Sequence, residues 1–211
     1  MGIVVAIDGT AAAGKGVLSR FIAHEYGFHY LDTGLIYRAV AQNVLDEGIP
    51  LDNELEIAKM AGKIVLSQLD KANLSSYEVA RVASEISAIP SVRHELIEVQ
   101  RSFSKLEPGA VLDGRDIGTV ICPDAIVKFY VTASLNVRAL RRHKEMVADG
   151  EQVDYDFVRE SLKKRDYQDK NRVCCPLIQD ASAYFFDTSS MSISVMCKVA
   201  KGLIDTRLHS G

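Results

Sequence analysis

Near its start the chain reads Gly9-Thr10-Ala11-Ala12-Ala13-Gly14-Lys15-Gly16, a G-x-x-x-x-G-K loop set between the apolar run Ile3-Val4-Val5-Ala6-Ile7 and a segment with Leu18, Phe21, Ile22 and Tyr26 at helical spacing. No other feature restricts the fold as much. The run before the loop is apolar without alternation, the pattern of a strand buried on both faces of a parallel sheet, so a central strand is predicted there. Gly27 follows the helical pattern as its stop signal. Strand, glycine loop and helix together are the context that gives the loop its meaning. Glycines let the backbone curl so that successive N–H groups point inward, the helix N-terminus adds partial positive charge, and Lys15 reaches the outer phosphates. A nucleoside triphosphate suits this arrangement. The plainer reading, a glycine-rich turn with a solvated lysine, leaves the flanking strand and helix unexplained.

The position after Lys15 is Gly16 and the next is Val17, so the hydroxyl that usually helps such a loop hold Mg²⁺ is missing from both. Asp8 and Asp113 are the candidates to hold magnesium through water. Asp113 directly follows the apolar run Ala110-Val111-Leu112, at the carboxyl end of a strand, where ligands of open α/β sheets bind. The competing role for either acid is to cap a helix or turn.

Ile126 to Val131 and Tyr184-Phe185-Phe186 are further short apolar runs, each followed by a polar turn and a helical pattern, as is Ala110-Val111-Leu112. Strand and helix alternating in this way predict an α/β fold in three layers, a parallel sheet with helices on both faces. Between Leu51 and Ser104 the spacing is helical almost throughout. A helix start is expected at Asp52 with Glu54 and Glu56 behind it, and Pro90 opens another helix through Val92, Leu96, Val99 and Phe103. Met191, Ile193, Val195, Met196 and Val199 suggest the core face of a last helix. Asp187-Thr188-Ser189-Ser190 ends the last strand, either capping that helix or bordering a base. His24 and His29 lack partners at metal spacing and are expected at the surface or at caps.

At 211 residues, 47% of them hydrophobic, the chain is long enough to bury the core of one domain. A formal net charge of −3 provides no overall positive field for nucleic acid or an anionic membrane, so an anionic ligand needs a local cluster. Such a cluster exists: residues 138–172 carry ten Lys and Arg against eight Asp and Glu, whereas the first 137 residues carry twelve against seventeen. No apolar run approaches the roughly 18 to 20 residues that span a bilayer, and Met1 to Asp8 shows neither a basic leader nor a cleavage site. A cytoplasmic address is expected. Four cysteines, Cys174 and Cys175 adjacent and Cys122 and Cys197 isolated, form neither a disulfide framework nor a spaced metal site and read as reduced thiols.

Three more clusters carry chemistry. In Asp32-Thr33-Gly34-Leu35-Ile36-Tyr37-Arg38 the Asp or Thr caps a helix and sets Tyr37 and Arg38 within its first two turns. Asp113-Gly114-Arg115-Asp116 puts two acids and an arginine in a turn. In Lys164-Arg165-Asp166-Tyr167-Gln168-Asp169-Lys170-Asn171-Arg172, helical spacing predicts Arg165, Asp169 and Arg172 on one face. Arginine suits phosphate because its planar fork donates two parallel bonds, although each such residue taken singly also fits a surface ion pair.

GTAAAGKG, LDTGLIYR, DGRDIGTV and KKRDYQDKNR, in this order, resemble the bacterial cytidylate kinases, which transfer the γ-phosphate of ATP to CMP or dCMP. The likeness spans nearly the whole chain, and the DTGxxYR, DGRD and RDxxDxxR set is far more specific than the loop alone. It implies a single P-loop kinase domain: a core of residues 1–50, 105–137 and 173–211, a helical monophosphate-binding insert at about 51–104, and a lid at about 138–172. It implies that Gly9, Thr10, Ala11, Ala12, Ala13, Gly14, Lys15, Gly16 and Val17 bind ATP, with Arg142 a further phosphate contact. Thr33, Tyr37, Arg38 and Arg115 correspond to the CMP site, the two arginines on its phosphate, while Ser84, Arg93 and Asp116 correspond to positions that read the cytosine edge. Arg165 and Asp169 correspond to positions around sugar and phosphate, and Arg172 to the arginine on the transferring group. Lys15, Arg165 and Arg172 are thus the expected catalytic residues. The implied partners are ATP with Mg²⁺ and CMP or dCMP, with no nucleic acid and no membrane, in a chain expected to be monomeric.

Two departures stand out. One is Val17, and the other is the segment Ile64 to Val79, shorter than the stretch in which many members carry a small β-sheet. Another small-acceptor P-loop kinase, and a nucleotide-binding regulator that has lost turnover, are the competing readings. The DGRD and RDxxDxxR motifs oppose the first, and retention of every candidate arginine opposes the second. A GTPase switch lacks its Asn-Lys-x-Asp segment.

Overall fold

The computed structural model describes residues 2–69, 74 and 76–209. Its strands are β1 (Ile3–Gly9), β2 (His29–Asp32), β3 (Gly109–Gly114), β4 (Val127–Thr132) and β5 (Tyr184–Asp187), in one five-stranded sheet of order β2-β3-β1-β4-β5. The central place predicted for Ile3 to Ile7 is where β1 lies, paired in parallel with β3 on one side and β4 on the other. β5 joins β4 in parallel at the edge. β2 was not foreseen, since His29-Tyr30-Leu31-Asp32 is short and half polar.

Helix α1 (Lys15–Tyr26) starts after Gly14 at φ 99° and ends at Gly27 at φ 67°, a left-handed cap that glycine adopts without steric cost. The chain divides into two compact units, residues 1–30 with 104–211, and residues 31–103. In the first, α1 and the last helix, α8 (Ile193–His209), close over one face of the sheet, burying Val5, Ile7, Leu18, Ile22, Val111, Phe129, Val131, Phe186 and Ile204 together. The buried face of α8 is Met196, Cys197, Ala200 and Ile204, whereas Ile193, Val195 and Val199 are 61%, 51% and 43% exposed. This corrects the reading for Ile193, Val195 and Val199, whereas Met196 is buried as expected and Met191 packs against the same core. Met196, Cys197, Ala200 and Ile204 recur at helical spacing and form the packed stripe, so the branched residues at 193, 195 and 199 fall on other sides of the helix.

After β3 the chain forms only a π-helical turn, Ile117–Ile121, before β4, because Pro123 follows too soon for a longer helix. Helices α6 (Leu135–Ala148) and α7 (Tyr155–Asn171) then pack on each other, burying Ala139, Met146, Val158 and Leu162 with Ala11 of the glycine loop. Ser134 caps α6 and Asp154 caps α7 through side-chain oxygens.

The second unit holds α2 (Thr33–Asp46), α3 (Glu54–Ala61), a 3₁₀ turn (Leu66–Gln68), α4 (Tyr77–Ile86) and α5 (Pro90–Ser104). Asn53, not Asp52, caps α3, accepting from the N–H of Glu56, and Glu54 and Glu56 occupy its first turn as expected. Of the shortened segment 64–79, residues 70–73 and 75 lie outside the described residues.

Candidate active site

The glycine loop joins β1 to α1. Gly9 has φ 145°, and a Cβ there would sit 1.8 Å from the carbonyl oxygen of Val131, so the loop can leave β1 only at a glycine. Lys15 opens α1 with its ammonium folded back on the loop, donating to Thr10 O at 3.1 Å, and Thr10 Oγ1 lies 3.2 Å from Thr132 Oγ1 at the end of β4. Turning N–H groups toward a ligand leaves carbonyls on the far side that need donors. Three buried or half-buried side chains supply them. Arg138 of α6 donates to Ala11 O at 3.3 Å and to Ala133 O at 2.8 Å, and it grips both oxygens of Asp166 of α7, at 3.1 and 2.6 Å. Thr188 Oγ1 donates to Ala13 O at 2.8 Å, and Arg141 donates to both Thr188 Oγ1 and Thr188 O, at 2.9 and 2.7 Å. The sequence reading did not assign these supports. A hint lay in Arg138 and Arg141 sitting one turn apart at the start of a helix, and in Thr188 at a strand's carboxyl end. Arg142, the expected phosphate contact, pairs here with Glu145 at 2.8 Å.

The two acids proposed for magnesium differ in setting. Ile7 is the register partner of Asp113 and Gly114 that of Asp8, so the two side chains alternate to opposite faces of the sheet. Asp8 accepts from the N–H of Ile117 at 2.8 Å and of Gly118 at 2.7 Å. Burial pushes its carboxyl up to about 6, even though those two N–H bonds oppose the rise. Asp113 instead accepts from Tyr30 Oη at 2.8 Å. That hydroxyl lies 3.5 Å from where a Cβ on Gly16 would be, so Tyr30 brings an O–H beside the position where such loops commonly carry one. Among the described residues no group of three or more His, Cys, Asp or Glu side chains converges to hold a metal.

Beyond β3 the arginines gather around Asp169. Arg115 Nε donates to Asp169 Oδ2 at 2.7 Å, and its Nη1 donates to Gly114 O at 3.1 Å. Burial works against ionising Asp169, but Arg115, with Arg165 and Arg172 nearby, outweighs it and holds the carboxyl below its ordinary value. Arg172 Nη2 lies 3.6 Å from Asp116 Oδ1, and both side chains are nearly buried. Arg172 does not continue the helical face predicted for it. It caps α7 in an extended conformation, φ −63° and ψ 143°, because the chain turns back there for Leu177 N to donate to Asp169 O at 2.7 Å. The tertiary turn still brings Arg172, Asp116, Asp169 and Arg115 into one cluster.

In the second unit, Asp32 caps α2 by accepting from Gly34 N at 3.0 Å, which fixes Thr33 as the first helical residue. Arg38 donates to Leu74 O at 3.1 Å. Arg93 is 1% exposed, donates to Ser87 O at 3.2 Å, and stacks 5.6 Å from the ring centre of Tyr37. Ser84 stands on α4, its carbonyl accepting from Ser87 Oγ at 2.8 Å. A guanidinium so deeply placed is an unusual core residue unless it serves a ligand or a network.

A family model described as cytidylate kinase matches residues 5–205. A cytidylate kinase of Rhizobium meliloti (strain 1021) is 54% identical over 208 residues, spanning 99% of this chain and 98% of its own. That of Agrobacterium fabrum (strain C58 / ATCC 33970) is 52% identical over 208 residues, with 99% of each chain covered. An uncharacterized protein from Eubacterium ventriosum ATCC 27560, at 14% identity and a TM-score of 0.59 over 98% of this chain and 99% of that chain, shares the fold. A match that runs from the first strand into the last helix, at about half identity, is a match of the whole molecule, and the chain belongs to the cytidylate kinase family.

Proposed function

We propose that this chain transfers the γ-phosphoryl group of ATP to CMP or dCMP, giving ADP and CDP or dCDP. One observation carries the reading: a single compact unit holds both a phosphate loop ending at Lys15 and the guanidinium cluster of Arg115, Arg165 and Arg172 around Asp169. Two anions must be brought together, and both halves of that task have cationic groups ready.

An acceptor phosphate oxygen is already ionised near neutral pH, so the reaction needs alignment and charge neutralisation rather than a general base. The backbone from Gly9 to Val17 cradles the donor phosphates, with Lys15 on the outer ones and Arg142 an additional contact. Arg165 and Arg172 stabilise the charge developing on the transferring group, which makes them and Lys15 the catalytic residues. Arg38 and Arg115 take the acceptor phosphate; Thr33, Tyr37, Ser84, Arg93, Asp116 and Asp169 recognise its nucleoside. The carboxylates beside Arg115 and Arg172 keep both guanidinium forks oriented before substrate arrives, which is the preorganisation such a site needs. Cytosine carries an amine where uracil carries a carbonyl. Asp116 accepting and Arg93 donating therefore favour CMP over UMP, and an unpaired buried group costs the wrong base about 1 to 3 kcal/mol, one to two decades.

Mg²⁺ brought with ATP would supply charge neutralisation at the phosphates. Asp113, at the carboxyl end of β3, is the residue proposed to reach it through water, whereas both oxygens of Asp8 serve the turn at Ile117 and Gly118. The insert at about 51–104 receives the acceptor and the α6–α7 pair forms the lid. A monomer working in the cytoplasm completes the proposal.

ADP release from ATP, measured with CMP, dCMP, UMP, AMP and shikimate as acceptors, with and without Mg²⁺, tests this reading. CMP or dCMP is expected to exceed the others by at least about tenfold. ATP binding with no turnover above background on either cytidylate would replace the kinase by a nucleotide-binding regulator.

A further inference from the structure

The turn after α7 holds two thiols that phosphoryl transfer does not use. The Sγ atoms of Cys174 and Cys175 are 3.3 Å apart and both side chains are half-buried, within reach of a small reagent. Cys175 has φ 51°, the left-handed region that a residue with a Cβ seldom adopts. The same turn is tied to the arginine cluster. Arg172 Nε donates to the carbonyl oxygen of Cys175 at 2.6 Å while its Nη2 faces Asp116, and two residues further on Leu177 N donates to Asp169 O. The conformation of Cys175 and the aim of Arg172 are thus joined by one hydrogen bond.

We propose that Cys174 and Cys175 form a reversible dithiol–disulfide modification site, taking a low-molecular-weight disulfide such as oxidised glutathione as its oxidant, and that closing it moves Arg172. The thiolate of one cysteine attacks a sulfur of the small disulfide and expels one thiolate. The second cysteine thiolate then attacks the protein-bound sulfur and expels the other. The protein dithiol is oxidised by two electrons, the small disulfide is reduced to two thiols, and the two cysteine protons end on the two leaving thiolates.

Closure must bring the sulfurs to about 2.05 Å. Adjacent Cα atoms across a trans peptide are only about 3.8 Å apart, short of the roughly 4.4 to 6.8 Å that ordinary bridges span, so the bond cannot form over an unchanged backbone. The torsions between Cys174 and Cys175 must alter, and the Cys175 carbonyl that accepts from Arg172 moves with them. Bonds made in such geometry are readily reduced, which suits a switch and not a staple. The effect on turnover rests on the proposed role of Arg172 at the transferring phosphoryl group; closure itself does not.

Oxidised glutathione is added to the full chain, the remaining thiols are alkylated, and the digest is read by mass spectrometry alongside CMP-dependent ADP release. The expected result is a Cys174–Cys175 peptide lacking two hydrogens and unalkylated, with turnover down by at least about tenfold and restored by dithiothreitol. Cys174→Ser keeps the turnover of the reduced protein and cannot close the bridge, whereas Cys122→Ser and Cys197→Ser still close it and lose turnover. A lasting glutathione adduct on one cysteine, or a closed pair with undiminished turnover, overturns the proposal. A reduced protein inactive on CMP would instead refute the kinase reading, and the peptide mass would still decide whether the pair closes.

Discussion

Replacing Arg138 by Lys keeps the charge behind the glycine loop and removes the fork. In the structure that guanidinium donates four times: to Ala133 O, to Ala11 O, and to each oxygen of Asp166. Its side chain is 5% exposed and that of Asp166 is 16% exposed, so water does not take over the lost bonds. An ammonium can keep one strong contact, to Asp166 or to a carbonyl, and leaves the other buried acceptors short of a donor. Net hydrogen bonds are worth about 1 kcal/mol each, and about 1.5 to 3 when one partner is charged, which puts the loss near 3 kcal/mol. For a chain of this length that is a fall of about 6 to 12 °C in Tm, read by calorimetry or circular dichroism. Arg81→Lys is the control. Arg81 meets Glu85 in an exposed i, i+4 pair, and such a pair is worth less than about 1 kcal/mol. Because one of the four bonds holds Ala11 in the loop, KM for ATP should also rise while KM for CMP stays near wild type. An Arg138→Lys protein melting within about 2 °C of wild type would refute the view of this arginine as the tie between loop, α6 and α7.

Gly9→Ala should abolish ATP binding or folding outright, since its methyl would fall 1.8 Å from a backbone oxygen; soluble protein with normal ATP affinity would contradict the strand-to-loop geometry. Asp8 holds its proton to about 6 in the fold against about 3.9 for an ordinary aspartate, so its contribution is stabilising at low pH and is lost as pH rises through 6. That proton alone should make the protein about 1 kcal/mol more stable at pH 5 than at pH 7.5. A carbon-13 titration of the Asp8 carboxyl checks it, and a midpoint at the ordinary value for aspartate would remove burial as the ruling influence. Tyr30→Phe deletes the O–H that Asp113 accepts beside Gly16. It should cost about 1 to 2 kcal/mol in a denaturant titration and raise KM for ATP more than KM for CMP.

Local rules made the chain from β1 to the start of α2 readable where one residue forced one conformation. The loop, the central β1, the stop at Gly27 and the cap at Asp32 followed from Gly φ angles, an apolar run and a carboxylate that accepts from a helix N–H. The three arginine-bearing motifs were visible for the same reason, as patterns along a line. Their partners were not. Which oxygen Arg138 meets depends on Ala11, more than a hundred residues earlier, and no spacing rule covers that distance. β2 escaped because its strand character comes from neighbours in the sheet rather than from its own residues. Ile193, Val195 and Val199 were misplaced on the buried face of α8, beside the correctly placed Met196, because apolar content alone does not say which side of a helix is buried.

By itself, then, the sequence determined that β1 would be central, that a phosphate loop would lead into α1, and that three arginine-bearing motifs would be present to meet anions. The physical reason is that steric and capping requirements act over a few residues. The tertiary structure alone decided that Asp8 would be clamped and raised in pKa, that Arg172 would leave the helix and still rejoin Asp116, and that the loop's carbonyls would be held by Arg138, Arg141 and Thr188. Burial and long-range pairing set those outcomes, and both are properties of the packed chain rather than of any segment in it.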